Sequence, residues 1–148
     1  GNTCLYGATS GELFAAGHAG ERFAVRNSGA TAVVEGCGAN GCEYMTGGEV
    51  LVLGPVGDNF GAGMTGGRVF VHDPGGTLQD HLNTEDVVRL PLGKAEDECR
   101  DLILRHFEAT GSDLARQLID SWESSRDSFA LIQPVGIQTE ATPVRVAS

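Results

Sequence analysis

Four short blocks of apolar residues recur along the first half of the chain, each opened by a small residue and a glycine. They are Ser10-Gly11-Glu12-Leu13-Phe14-Ala15, Ser28-Gly29-Ala30-Thr31-Ala32-Val33, Gly47-Gly48-Glu49-Val50-Leu51-Val52 and Gly66-Gly67-Arg68-Val69-Phe70-Val71. Their anchor glycines, Gly11, Gly29, Gly48 and Gly67, stand 18, 19 and 19 residues apart. A fixed period near 20 residues is the mark of a solenoid, and the β-branched and aromatic content of each block makes the unit a strand with turns. About 18 extended residues at about 3.3 Å each give a path of about 60 Å, which suits one coil of a closed cross-section. The prediction is a right-handed parallel β-helix, a single-stranded solenoid of 18–19 residues per coil, over residues 1–76.

Coils need corners, and corners need backbone that accepts positive φ, which glycine supplies at no steric cost. Gly17, Gly36 and Gly54 follow the anchors by six or seven residues and read as a first corner, with Asp73 in the last coil. Gly20, Gly41 and Gly57 mark a second corner more loosely. At least one residue of each pair, Gly47-Gly48 and Gly66-Gly67, is expected at positive φ.

Alternation within the blocks assigns faces. Counted from the anchor glycine, Leu13, Thr31, Val50 and Val69 fall at offset two and Ala15, Val33, Val52 and Val71 at offset four, so both sets are expected to stack as interior ladders. Phe14, Ala32, Leu51 and Phe70 fall at offset three and should point outward. Strands apolar on both faces are normally covered on both. Either the C-terminal helices or another domain must lie over this side.

Beyond Gly76 the pattern changes. Residues 77–92 read as a connecting segment and residues 93–136 as helical. From Ala95 to Ala109 an apolar stripe of Cys99, Leu102, Ile103 and Phe107 has helical spacing. Glu96, Asp97 and Glu98 open this helix and Arg105 and His106 close it, as the helix dipole favours. Gly111 ends it, and Ser112 caps a second helix over Asp113 to Ser124 with Ala115, Leu118, Ile119 and Trp122 on one face. Phe129 to Val135 is a short extended piece, and residues 137–148 are read as a disordered tail.

Composition sharpens this picture in two ways. All but three of the 22 glycines lie in residues 1–76, and their periodicity separates the segment from a flexible linker. The net charge of −10 is spread over the chain: residues 1–92 hold ten acids and four bases, residues 93–148 ten acids and six bases. Such a surface disfavours nucleic acid and anionic lipid as partners. No run approaches the roughly 20 apolar residues that span a bilayer, and residues 1–17 lack the features of a signal peptide, so a cytoplasmic location is expected. Cys4, Cys37, Cys42 and Cys99 are too sparse for a disulfide scaffold and read as free thiols.

Candidate chemistry is thin. Cys37-Gly-Ala-Asn-Gly-Cys42 offers one cysteine pair with no second pair to complete a metal site. His18 and Cys37 are a conceivable base and nucleophile, but nothing places them together. His72, beside Asp73, reads as a solvated edge residue. Gly36-x-Gly38-x-x-Gly41 matches the dinucleotide fingerprint in letters but lacks the helix that would face a pyrophosphate. The expectation is a chain with no catalytic, cofactor-binding or metal-binding residue, whose notable positions are the structural corner glycines Gly11, Gly29, Gly48, Gly67, Gly17, Gly36 and Gly54.

Several contiguous segments carry a family resemblance: Gly1-Asn-Thr-Cys-Leu-Tyr-Gly-Ala-Thr9, Gly20-Glu-Arg-Phe-Ala-Val-Arg-Asn-Ser-Gly29, Val34-Glu-Gly-Cys-Gly38, Gly41-Cys-Glu-Tyr-Met-Thr-Gly-Gly48, Asn83-Thr84-Glu85, Ala109-Thr-Gly-Ser112 and Asp120-Ser-Trp122. Over roughly residues 1–135 the chain resembles the C-terminal glycine-repeat (GXGXG) domain of the glutamate synthase large subunit. The resemblance implies a right-handed parallel β-helix without catalytic residues. It also implies a scaffold between glutaminase and FMN-binding synthase domains that helps hold the ammonia path between them. The parent enzyme converts glutamine, 2-oxoglutarate and reductant to two glutamates. Its FMN and iron–sulfur cluster would belong to the synthase domain, and none of those sites maps onto this chain. A second class is a stand-alone glycine-repeat assembly subunit of a split synthase-like or formylmethanofuran-dehydrogenase-like complex; the helical tail favours the first. In the family further coils precede Gly1, so the open first coil is expected to associate with another chain through residues near Cys4 to Ala16.

Overall fold

A computed structural model describes residues 10–135. The strands β1 (Glu12–Phe14), β2 (Ser28–Val34), β3 (Thr46–Val52) and β4 (Gly66–His72) pair in parallel, one per coil. The chain is thus mainly a parallel β-solenoid, followed by helices. The last coil is then covered in an unexpected way. Phe129–Pro134 is a full strand, β6, which pairs antiparallel with β4, and Val87–Leu90 forms β5, antiparallel to β6. The sheet order is β1-β2-β3-β4-β6-β5. The stretch 77–92 therefore contains a 3-10 turn and a strand. The expectations for the tail from 137, and for Cys4 at the open end, lie outside the described residues.

Two apolar cores share the sheet. Inside the coils, Ala32, Val50, Val69 and Ile132 form one ladder and Val34, Val52, Val71 and Ala130 another. On the outer face, Val33, Leu51, Phe70 and Leu131 pack beneath α1 (Glu96–Thr110), α2 (Asp113–Asp120) and α3 (Trp122–Ser125). Phe14 packs against the margin of this second core. The helices, not another domain, thus cover Leu51 and Phe70, both fully buried. Each such side chain removed from water contributes about 1.5–3 kcal/mol.

Coil 2 departs from the face assignment. Thr31 and Val33 were expected inside and Ala32 outside; instead Ala32 and Val34 face the interior and Val33 the helices. Thr31 pairs with Glu12 and Glu49 outside the core. The cause is a bulge: Ser28 pairs with Gly47 but Thr31 with Glu49, so β2 spends one extra residue. A one-residue shift moves every following side chain to the other face. Asn27 holds this bulge. Its buried Oδ1 accepts from Gly29 N at 3.2 Å and Ala30 N at 2.9 Å, and its Nδ2 donates to Ala30 O at 3.1 Å.

Of the corner glycines, Gly11, Gly36, Gly48 and Gly67 have positive φ, while Gly17, Gly29 and Gly54 do not. Gly48 shows why no other residue serves. Its φ is +89°, and a Cβ there would sit 2.4 Å from Ala30 O. At Gly54 close approach alone excludes a side chain, since its Cβ would lie 2.2 Å from Glu35 O.

The second corner is built differently. Arg22, Ala24, Arg26, Asn40, Cys42, Tyr44 and Asn59 all lie near φ +60°. Each non-glycine residue there costs about 1–2 kcal/mol. Such residues persist only where their surroundings over-determine them, and here the coils do so. Arg22 N donates to Ala39 O, Asn40 N to Asp58 O, Arg26 N to Glu43 O and Tyr44 N to Ala62 O, all at 2.8–2.9 Å. The rows 22–40–59 and 26–44–63 stack through the coils. Asn59 Nδ2 donates to Asn40 Oδ1 and Asn83 Nδ2 to Asn59 Oδ1 along the first row.

In the helical layer α1 buries Cys99, Leu102, Ile103 and His106. Gly111, at φ +68°, closes it with its N–H on Phe107 O. Ser112 Oγ caps α2 by accepting from Ala115 N at 3.1 Å. The helix expected over 113–124 breaks at Ser121, whose hydroxyl donates to Gln117 O at 2.8 Å.

Candidate functional site

The cysteines are the residues most able to carry chemistry, and each described one is buried. Cys37 and Cys42 lie in the solenoid interior, Cys99 between α1 and the sheet. Burial pushes the Cys37 and Cys99 thiols up to about 12 and raises Cys42 well above its ordinary value. Thiols so protected stay protonated and are poor nucleophiles and ligands. The His18 ring lies against Gly36, within 3 Å of where a Cβ would stand, and makes no hydrogen bond to Cys37.

Gly36, Gly38 and Gly41 lie in the turn between β2 and β3. Gly38 faces Glu21, and Gly41 faces the Phe60 ring and Cys37 Sγ. A strand follows, so no helix N-terminus faces a phosphate. Among the described residues no group of three or more His, Cys, Asp or Glu is placed to hold a metal.

His72 is not a solvated edge residue. β4 is paired on both sides, and the His72 ring is half-buried against Phe129 at 4.7 Å. Burial lowers its pKa against the opposing pull of a backbone bond and Asp73. The Asp73 carboxylate feels burial too, yet it titrates below its ordinary value. Arg89 Nη1 at 2.7 Å and the N–H groups of Thr77 and Leu78 favour its charged form. This cluster ties β5 to the end of β4.

The arrangement that sequence reasoning missed joins the two cores. Glu35, just past β2, accepts from Ser112 Oγ at 2.6 Å and meets His106 Nε2 at 2.9 Å through the same Oε2 atom. His106 is fully buried, and its Nδ1 has no partner. Serine, histidine and a carboxylate are all present, but the serine donates to the carboxylate and not to the imidazole. The order needed to activate a hydroxyl is absent. The node pins α1 and the cap of α2 to coil 2. A signal for it existed: His106 continues the spacing of Cys99, Leu102 and Ile103.

Two cavities, of about 590 and 480 Å³, flank the strap at residues 90–93. The first is edged by Glu96, which accepts from Trp122 Nε1 at 3.0 Å and Arg126 Nη1 at 3.2 Å. The second is floored by Gln133, whose buried Oε1 has no hydrogen-bond partner. Neither is lined by a serine, cysteine or histidine.

Comparison with known proteins gives a consistent picture. The profile of the GXGXG motif family matches residues 1–135. The chain is 54% identical over 136 residues to the glutamate synthase [NADPH] large chain of Azospirillum brasilense, covering 90% of this chain and 9% of that protein. It is 50% identical over 131 residues to ferredoxin-dependent glutamate synthase 2 of Synechocystis sp., covering 87% of this chain and 8% of that protein. It is 50% identical over 136 residues to the chloroplastic/mitochondrial ferredoxin-dependent glutamate synthase 1 of Arabidopsis thaliana, covering 90% and 8%. The chain thus spans less than a tenth of the length of these relatives.

Proposed function

The chain belongs to the GXGXG motif family, and from that premise we propose that it is a non-catalytic structural domain of a glutamate synthase large subunit. In this reading it scaffolds the glutaminase and FMN-binding synthase domains and helps hold the path along which ammonia passes between them. The parent enzyme makes two glutamates from glutamine, 2-oxoglutarate and reductant. Its FMN and iron–sulfur cluster belong to the synthase domain, and the location is cytoplasmic. The observation that carries the reading is the identity near 50% to glutamate synthases over about nine-tenths of the chain. The burial of Cys37, Cys42 and Cys99, which takes three candidate nucleophiles out of reach, supports a role without chemistry.

The test is made in the full-length subunit that carries this sequence. Distorting a coil with Gly54→Val should uncouple the enzyme: glutamine hydrolysis persists while less of the ammonia released reaches glutamate. A variant that folds and keeps the wild-type ratio of glutamate formed to glutamine consumed contradicts the scaffold role. Glutamine hydrolysis by the isolated chain contradicts the absence of an active site.

A further inference from the structure

The second corner of the coils presents a surface that the fold itself does not use. Row 26–44–63 is an ordered column. The Tyr44 ring lies on Gly63, where a Cβ would come within 2.4 Å of the ring, and the Arg26 guanidinium sits 5.6 Å from the ring centroid. Gly63 therefore makes room for a held tyrosine. Even so, Tyr44 is 52% exposed, one of two large hydrophobic residues so exposed among those described. Arg26 is exposed beside it and Arg22 is exposed in the other row of the same corner, and neither forms an ion pair among the described residues, although Glu21 and Glu43 lie in the same corner.

The backbone makes these choices informative. Arg22, Arg26 and Tyr44 occupy left-handed conformations that glycine adopts freely, and the same corner takes glycine at Gly61 and Gly63. An exposed side chain kept at a strained position that glycine fills at no cost points to a value outside the fold. A rigid, half-exposed tyrosine beside an arginine guanidinium, with a second unpaired arginine in the same corner, is the composition of a protein-binding hot spot. The corner lines none of the cavities described above.

We propose that the corner face formed by Arg22, Arg26 and Tyr44 is an interface for a carboxylate-bearing segment of another domain of the same polypeptide. The carboxylate pairs with the guanidinium groups, and the chain beside it covers the tyrosine ring. The inference rests on the reading of this chain as one domain of a larger synthase subunit, whose relatives extend far beyond the matched segment.

The experiment uses the full-length subunit and tetranitromethane, which nitrates accessible tyrosine, with a free peptide of residues 41–47 as the reference. Tyr44 in the enzyme should nitrate at least about tenfold more slowly than in the peptide, because a packed interface excludes solvent from its centre. The double variant Arg22→Glu/Arg26→Glu should return Tyr44 to within about threefold of the peptide while leaving the melting temperature unchanged. Three outcomes overturn the proposal. The wild-type enzyme nitrates like the peptide; the double variant stays protected; or protection vanishes on dilution together with a fall in sedimenting mass, which assigns the face to a second copy. Glutamate synthesis is assayed in the same preparation. Activity with a freely reactive Tyr44 sinks the interface alone, whereas absence of synthase activity sinks the parent reading.

Discussion

In the solenoid, a Cβ on Gly48 would meet a carbonyl oxygen at 2.4 Å; in the helical layer, a Cβ on Gly111 would meet nothing within 4 Å. Both residues have positive φ, +89° and +68°. The difference is one of how each region is specified. Coils stack backbone on backbone, so the tolerance at a repeated position is set by the strand above or below. The helices approach the sheet through side chains, and the end of α1 at Gly111 is exposed. The same residue type is thus a packing requirement in one region and only a conformational preference in the other.

The sharpest way to break this contrast is to add one methyl group to each glycine. Gly48→Ala should cost about 3 kcal/mol or more, combining backbone strain with displacement of the Ala30 carbonyl. Gly111→Ala should cost about 1 kcal/mol, the price of a left-handed alanine alone. Denaturant midpoints at constant m-value measure both. Similar losses for the two would show that the coils can shift as freely as a helix end.

A substitution beneath the helices asks whether the two regions unfold together. Leu102→Ala removes a buried side chain at the α1–sheet contact and should cost about 2–5 kcal/mol. Because β2 to β4 keep their own interior core, amide exchange should quicken in α1 and α2 well before it does in those strands. Uniform loss of protection would mean that the sheet depends on its helical cover and that the division into two regions is only geometric.

How much of this the residues announce follows the same divide. The period of the anchor glycines places the four parallel strands, and the helical spacing places α1, because both signals are regular. The bulge in coil 2 is not regular. Gly29 aligns by letter with Gly48, yet the extra residue held by Asn27 turns Val33 to the helices. β6 was legible as an extended piece but not as a sheet partner, because its place between β4 and β5 depends on contacts far apart in sequence. The second corner was invisible for a plainer reason. Arginine, tyrosine and cysteine at φ near +60° contradict the preference on which corner assignment rests. The Glu35 node was half legible: His106 fell on the apolar stripe, but nothing local pairs it with a residue 71 positions away.

That node is where the two regions meet, and it predicts an intermediate effect. Glu35→Ala leaves His106 and Ser112 without their shared acceptor and should cost about 1.5–3 kcal/mol. Ser112→Ala removes the α2 cap and its bond to Glu35 and should cost about 1–2 kcal/mol. The pair should be non-additive by about 0.5 kcal/mol or more, since both changes remove one interaction. Strict additivity in a double-mutant cycle would mean that the helices dock through apolar contacts alone.

The smallest expected effect tests the opposite corner. Arg22 is exposed at φ +60° and has no ion pair among the described residues, so its side chain does little for the fold. Arg22→Gly relieves the left-handed strain of about 1 kcal/mol and adds back part of it as chain entropy in the unfolded state. The net expectation is unchanged stability or a gain of about 0.5 kcal/mol, the reverse in sign of Gly48→Ala in the same solenoid. A measured loss above about 1 kcal/mol would show that the arginine supports the coil after all. It would also remove the reason for assigning that side chain to contacts outside this domain. A gain accompanied by weaker coupling in the full-length enzyme places the strain where an interface would have it: tolerated by the stack, and retained for what binds there.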